Sequence, residues 1–403
     1  MSRAGHSPGV VIIGAGHAGA ALAMALRSMD AKLSVTLIGE EPEFPYHRPP
    51  LSKSLPVPPA VPEPQLLRPA DAWQAAGIAL RTGARTERID RAGRKVVLAD
   101  GTRLDYARLV LATGARARRL PGPQPDGVMV LRDISDARRL AAHLPAAQHV
   151  AILGAGYIGL ETAAALAGQG TGVTVIERES RVLSRVASPA ISAWVQLRHE
   201  ARGTRFLLNT GVVALDVRHG AVRALELDDG STLPVNLVLL GIGASPEVGL
   251  AQDAGLVTDD GIVVDALCRT SDPAIFAIGD CARFPCPATG ALVRRESIQN
   301  AQDMARALAA TLVGSESTAY RAVPWFWSDQ GGDKLQSAGF FVPDCETEVV
   351  GEPATNRFSV LHHFDGQLYA SESVNDARTH MQTRRSLGEF LRDGSGTLRR
   401  AVG

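Results

Sequence analysis

At 403 residues the chain exceeds what one hydrophobic core organises, so two or three domains are expected. Basic and acidic residues balance at 42 each, which argues against a general nucleic-acid or membrane-surface binder and leaves only local patches open. No apolar run approaches a membrane span, and Met1 to Gly9 is too short and polar for a signal peptide, so a cytoplasmic protein is expected. Four cysteines, Cys268, Cys281, Cys286 and Cys345, are too few for a disulfide framework.

The first informative stretch is V-V-I-I-G-A-G-H-A-G, residues 10–19. A β-branched run enters Gly14, Gly16 and Gly19, and small residues follow, which reads as strand, tight turn and helix. Gly14 suits the turn, Gly16 a close backbone approach to a pyrophosphate, and Gly19 close helix–strand packing. Alone, such a pattern also fits an ordinary Gly-rich turn. The apolar run Ser34 to Ile38 strengthens it by ending at Glu40, about where a carboxylate accepts hydrogen bonds from an adenosine ribose.

After Glu40, E-P-E-F-P-Y-H-R-P-P-L-S-K is too rich in proline for a long helix or a central strand, and it reads as a shaped loop ending on Lys53. By itself Lys53 is an ordinary loop lysine. Leu55 to Pro64 reads as an exposed excursion, and Gly77 to Val97 as short strands that include Thr86. L-V-L-A-T-G is a buried strand whose Thr113 and Gly114 close the first lobe, and Arg116, Arg118, Arg119, Pro121 and Pro123 mark a boundary. Arg132 and Asp133 precede a helix from Ile134 to Leu144.

The fingerprint then recurs as H-V-A-I-L-G-A-G-Y-I-G, with Gly154, Gly156 and Gly159 at the same spacing. Two dinucleotide sites suggest hydride transfer between a nicotinamide and a flavin. Glu161 reads as a first-turn carboxylate favoured by the helix dipole. Glu177 ends the next strand, where a carboxylate suits the free 2′-hydroxyl of NADH and repels the phosphate of NADPH; Arg178, Arg181 and Arg185 pull the other way. L-V-L-L-G-I-G, ending on Gly243, closes the second lobe as the earlier L-V-L-A-T-G closes the first. T-S-D-P-A-I-F-A-I-G-D ends a buried strand on Gly279 and Asp280, where a carboxylate serves as a strand-end cap or accepts a ribitol hydroxyl. The flavin lobe is therefore expected to be discontinuous. R-R-E-S-I-Q-N opens a helix from Ala301 to Leu312, and around Tyr320 a smaller domain begins, with antiparallel strands over Phe358 to Phe364 and Gln367 to Ser371 and a closing helix over Thr379 to Leu391.

Taken together, the two fingerprints, P-P-L-S-K, L-A-T-G, T-S-D-P-A-I-F-A-I-G-D, R-R-E-S-I-Q-N and P-W-F-W-S-D-Q resemble the FAD-dependent ferredoxin reductases of bacterial oxygenase systems over nearly the whole chain. The resemblance implies an α/β fold with two Rossmann-type, glutathione-reductase-like dinucleotide domains and a C-terminal α+β domain. The expected division is 1–116 with 245–319 for FAD, 117–244 for NAD, and 320–403. It implies that Ala18, Glu40, Lys53, Thr86, Arg132, Asp280 and Ile298 lie on FAD, that Glu177 and Arg185 lie on NADH, and that Trp327 lies near the isoalloxazine. It also implies that Lys53 and Glu161 pair beside the flavin, positioning charge at the hydride-transfer point. Two departures stand out: Gly331-Gly332-Asp333, which is expected to change the contour beside the flavin or at the partner surface, and Ser245-Pro246-Glu247, with no derivable consequence.

The implied acceptor is a [2Fe-2S] ferredoxin serving a cytochrome P450 or another oxygenase, reached from a monomer or weak homodimer. Arg116, Arg118, Arg119, Arg294 and Arg295 are docking candidates that otherwise read as ordinary surface arginines. Rubredoxin reduction differs only in the acceptor, and an NADH-responsive binding or sensor flavoprotein like apoptosis-inducing factor stays open. A dithiol reductase is disfavoured because no cysteine precedes Cys268; Cys281 and Cys286 read as a buried thiol and a loop thiol.

Overall fold

The computed structural model describes residues 9–55, 60–314 and 319–393. Val10–Ile13 is buried along its whole length and pairs in parallel with Val35–Ile38 on one side and Arg108–Leu111 on the other. Ile78–Arg81 and Ile275–Ala277 complete a five-stranded sheet as its two edges. A parallel sheet covered on both faces needs continuous apolar strands, and these runs supply them. The last edge strand comes from far along the chain, so this first unit is built from two separate segments. The helices His17–Met29 and Ile298–Val313 pack against each other in its core.

A second five-stranded parallel sheet repeats the plan, with His149–Leu153 between Gly172–Ile176 and Leu237–Leu240, and with Thr204–Leu207 and Val128–Met129 at its edges. The chain crosses between the two units twice. The crossings, Ala115–Ala117 and Ala244–Pro246, pair antiparallel with one another.

The third unit is an antiparallel sheet in the order Trp325–Gln330, Asp333–Gly339, Gln367–Val374, Arg357–Phe364 and Glu346–Glu352, with the helix Ala377–Asp393 packed against it. Its sheet starts at Trp325; Tyr320 belongs to the first core, where its hydroxyl donates to Asn300 Oδ1 at 2.9 Å. Gly331 and Gly332 form the two-residue turn between its first strands, with φ of +61° and +97° that favour glycine. Gly331 lies against Arg202, just past the C-terminal end of the second unit's helix Pro189–Glu200, so this departure lies at a seam between the second and third units.

Two local expectations change. The proline segment ends in a single helical turn, Pro50–Lys53, with Leu51 and Leu55 buried beside Tyr46. The excursion is thus anchored in the core at Leu55; its residues 56–59 lie outside the described residues.

Candidate dinucleotide and charge-pair site

The glycines of the first fingerprint meet three different constraints. Gly14 has φ +109°, and a Cβ there would lie 2.1 Å from Ala112 O. A Cβ on Gly19 would lie 1.9 Å from Gly14 O, so the helix can approach the strand only because none is present. Gly16 has nothing within 4 Å; its Cβ direction opens into the cradle at the helix start, where no side chain caps the helix. The second copy repeats this, with Gly154 at φ +100°, a Cβ on Gly159 lying 2.4 Å from Gly154 O, and one on Gly156 facing open space. Each cradle thus presents helix-start N–H groups to an anion.

Imidazole and guanidinium groups gather around the first cradle. His17 sits 5.6 Å ring to ring from His47, and burial, then His47, Arg48 and Arg132, lower its pKa to about 4. Among the described residues, His17 Nε2, Arg132 Nε and Thr86 Oγ1 are buried without a hydrogen-bond partner. Orphaned donors of this kind fit a bound phosphorylated group. Arg132 pairs with Asp280 at 3.2 Å, and burial raises the Asp280 carboxyl. Gly279 brings Ala18 against this strand end, since its own Cβ would stand 2.9 Å from that of Ala18. Ile298 is half-buried at the start of its helix, which Ser297 caps by accepting from Asn300 N at 3.1 Å. Glu40 lies on the exposed rim, with Arg85 and Arg116 at 3.8 and 3.9 Å.

Thr113 donates to Glu247 O at 2.6 Å, and Glu247 N donates to Gly114 O at 2.9 Å. Glu247 therefore ties the second crossing to the first lobe, and its side chain holds Arg116. In the second cradle, Glu177 accepts from Ala155 N at 2.7 Å, and Arg185 Nη2 lies 4.0 Å from where a Cβ on Gly243 would be. Arg181 is consumed internally by Ala187 O, Ser192 Oγ and Ser184 O. It is unavailable to a 2′-phosphate.

The charge pair joins all three units. Lys53 Nζ lies 2.9 Å from Glu161 Oε1 and 2.9 Å from Asp329 Oδ2. Glu161 does not occupy the first turn: Gly156 is the N-cap, so Glu161 lies one turn further on, with its side chain buried. Its position follows from partners rather than from the dipole. Ser52 Oγ donates to its Oε2 at 2.5 Å, and the Ser328 hydroxyl donates to Oε1. Nearby, Tyr157 stacks on Phe326 at 4.6 Å, and burial, Glu372 and Glu161 raise its hydroxyl pKa. Trp327 is half-exposed, 5.5 Å from Trp325 and 6.5 Å from Phe326. Nothing in the sequence marks Ser52, Ser328, Asp329 or Tyr157 as partners here, although the first three lie inside the P-P-L-S-K and W-S-D-Q stretches.

The docking arginines divide. Arg118 and Arg119 are exposed, whereas Arg294 is largely buried and engaged by Glu296 and Asp260, and Arg295 lies over the Phe340 ring at 5.9 Å. All four cysteines are free. Cys286 is a loop thiol, but it is buried beside Phe340 and Tyr369.

Residues 8–305 match the pyridine nucleotide-disulphide oxidoreductase family, and residues 325–397 match a reductase C-terminal domain. The chain belongs to the pyridine nucleotide-disulphide oxidoreductase family. It is 41% identical to a ferredoxin–NAD(P)+ reductase of Sphingomonas sp. over 93% of this chain and 92% of that one. The ferredoxin reductase of the CYP199A2 system from Rhodopseudomonas palustris superposes with TM-score 0.90 at 40% identity, covering 98% and 99% of the two chains. A covalent putidaredoxin reductase–putidaredoxin complex gives TM-score 0.89 at 36% identity, covering 99% of each chain. As a member of this oxidoreductase family the protein is an enzyme that uses a flavin and a pyridine nucleotide. Among the described residues no helix is long and apolar enough to cross a membrane.

Proposed function

We propose that the protein is an NADH:ferredoxin reductase using FAD, with FAD in the first cradle and NADH in the second. The observation that carries the reading is the Lys53–Glu161 contact, at 2.9 Å, between side chains from the two dinucleotide units. When bound, FAD supplies the step between an obligate two-electron hydride donor and a one-electron [2Fe-2S] acceptor.

The protein's own contribution is binding and placement. Gly14, Gly16, Ala18 and Gly19 shape the pyrophosphate cradle, and Glu40, Thr86, Arg132, Gly279, Asp280 and Ile298 line the rest of the flavin site. Thr113 and Gly114 fasten Glu247 beside it. Gly154, Gly156, Gly159, Glu177, Arg185 and Gly243 form the nicotinamide dinucleotide site. Lys53 and Glu161 fix a charge where the two sites meet, and Trp327 would lie near the isoalloxazine. The carboxylate of Glu177 at the strand end, together with the internal engagement of Arg181, supports NADH over NADPH. The two crossings at 115–117 and 244–246 support the boundaries near 116 and 245 in a division into 1–116 with 245–319, 117–244, and 320–403, the sheet of the last unit itself beginning at Trp325. The acceptor reading rests on likeness to ferredoxin reductases, with Arg118 and Arg119 as the exposed cations available to an acidic partner.

Stopped-flow mixing of the purified flavoprotein with NADH, then with a panel of [2Fe-2S] ferredoxins, tests this. Fast bleaching and rapid reoxidation by one ferredoxin are expected. Bleaching that only rubredoxin reverses would move the acceptor. No bleaching with either nicotinamide would overturn the assignment of the second cradle.

A further inference from the structure

Glu161 ends a buried polar chain that no dinucleotide contact requires. Ser328 and Gln330 occupy alternate positions of one strand and share its buried face, 0% and 1% exposed. Gln330 Nε2 donates to Ser328 Oγ at 2.8 Å. His199, fully buried on the helix Pro189–Glu200, lies with Nε2 2.9 Å from Gln330 Oε1. The chain thus runs from the second unit through the third and back to the second.

Its direction is determined by hydrogen-bond inventory. A carboxylate of Glu161 only accepts, so the single Ser328 hydroxyl proton points to it. Ser328 Oγ must then accept from Gln330, which turns the amide oxygen toward His199, and His199 must carry its proton on Nε2. The geometry leaves Nδ1 without a partner, so in that tautomer the unpaired nitrogen carries a lone pair rather than a stranded N–H. Burial, the leading cause, lowers the His199 pKa to about 4 against the raising hydrogen bond to Gln330, with Arg202 lowering it further and Asp333 raising it least, so the ring is neutral at pH 7. Phe206 packs edge-on at 6.2 Å, and Asp333, held by Arg198 at 3.1 Å and Arg202 at 2.7 Å, clamps the helix end to the adjoining strand Asp333–Gly339. Every donor in the chain points toward Glu161, an arrangement in which successive hydrogen bonds polarise one another.

We propose that Ser328, Gln330 and His199 are positioning residues for Glu161. They form a one-way hydrogen-bond chain that holds its carboxylate against Lys53 and thereby sets the rate of flavin reduction by NADH. The terminal torsion of a glutamate is broad. Without the chain, Ser52 still holds Oε2, but Oε1 has only Lys53, which is shared with Asp329. This inference rests on the reading of Lys53–Glu161 as the hydride-transfer locus.

The test uses the FAD-loaded full-length protein and the variants Gln330→Met, His199→Phe, His199→Gln and Ser328→Ala. Gln330→Met keeps the volume and removes the amide; His199→Gln keeps an N–H donor. The limiting rate of flavin reduction is expected to fall about tenfold in Gln330→Met, with the NADH dissociation constant within about twofold of wild type. His199→Phe should fall less, and His199→Gln should recover most of that loss. Independently of turnover, histidine ¹⁵N shifts should show His199 protonated on Nε2 in the wild type and no longer fixed in Ser328→Ala. A Gln330→Met reduction rate within about twofold of wild type, or a wild-type His199 protonated on Nδ1, would overturn the proposal. If Gln330→Met fails to fold, the His199 pair and the wild-type tautomer decide. Wild-type flavin that NADH does not reduce would defeat the functional reading, while the tautomer would still decide the chain.

Discussion

Replacing Gly16 with alanine separates folding from cofactor binding. Gly16 has φ −76° and ψ −166°, which alanine adopts without strain, and its Cβ would meet nothing within 4 Å. The stability of the FAD-free protein should therefore change by no more than about 0.5 kcal/mol. The same methyl group points into the cradle, where it holds a pyrophosphate away from the N–H groups at the start of His17–Met29. Losing two charge-assisted hydrogen bonds at about 1.5–3 kcal/mol each weakens FAD binding by about 10²- to 10⁴-fold. Gly19→Ala is the contrasting control: its Cβ would lie 1.9 Å from Gly14 O, so the fold itself must shift. The assay is titration of the FAD-free protein by flavin fluorescence, alongside its thermal unfolding. Gly16→Ala that binds FAD within about threefold of wild type would refute the cradle assignment. Gly156→Ala extends the logic: flavin retained, NADH affinity lost.

Lys53→Met leaves the Glu161 carboxylate buried without its cation, which should cost about 3 kcal/mol in urea unfolding and slow flavin reduction; unchanged stability would mean the pair is not desolvated. Glu177→Ala should narrow the NADH to NADPH preference in kcat/KM by about tenfold, and an unchanged ratio removes Glu177 as the discriminator. His380 is 1% exposed, neither ring nitrogen has a partner, and burial, then Arg384 and Lys334, lower its pKa to about 4 from an ordinary 6.5. As pH falls through 6.5 the unfolded chain takes up this proton first, so stability declines until the folded ring also protonates near pH 4. Between pH 7 and pH 5 this ring should remove about 2 kcal/mol, and His380→Phe should abolish that part of the loss in urea unfolding at the two pH values. An identical pH 7 to pH 5 difference in the variant would show that His380 does not titrate this way.

Much of this arrangement was legible because it rests on backbone requirements. The glycine spacing is a steric code, and each glycine meets the obstacle or the open space its place in the motif predicts. The parallel strands were legible as apolar runs, and the returning strand Ile275–Ala277 as a buried segment after the second lobe. Side-chain partnerships were not. Ser52 and Glu161 are 109 residues apart, and Ser328 is 167 from Glu161, so no local pattern links them; the Lys53–Glu161 pairing was visible only through resemblance. Reading Glu161 as a dipole carboxylate failed because the helix starts at Tyr157, before the last glycine rather than after it. The engagement of Arg294 by Glu296 and Asp260 was likewise not legible, because composition does not reveal ion-pair partners.

The environment of Glu161 also explains why the third unit is integral to the site. Burying a carboxylate costs several kcal/mol even after relaxation, and a single lysine shared with Asp329 offsets only part of that. The remainder comes from hydroxyl donors, each adding about 1.5–3 kcal/mol to a charged acceptor. Ser52 comes from the first unit and Ser328 from the third, while Glu161 belongs to the second. The charge is therefore well solvated by protein only when all three units are docked. Separating the C-terminal sheet would remove Ser328 and Asp329 together and leave Lys53 and Glu161 open to water on that side. Assembly of the three units and the placement of charge between the two cradles are thus one physical event.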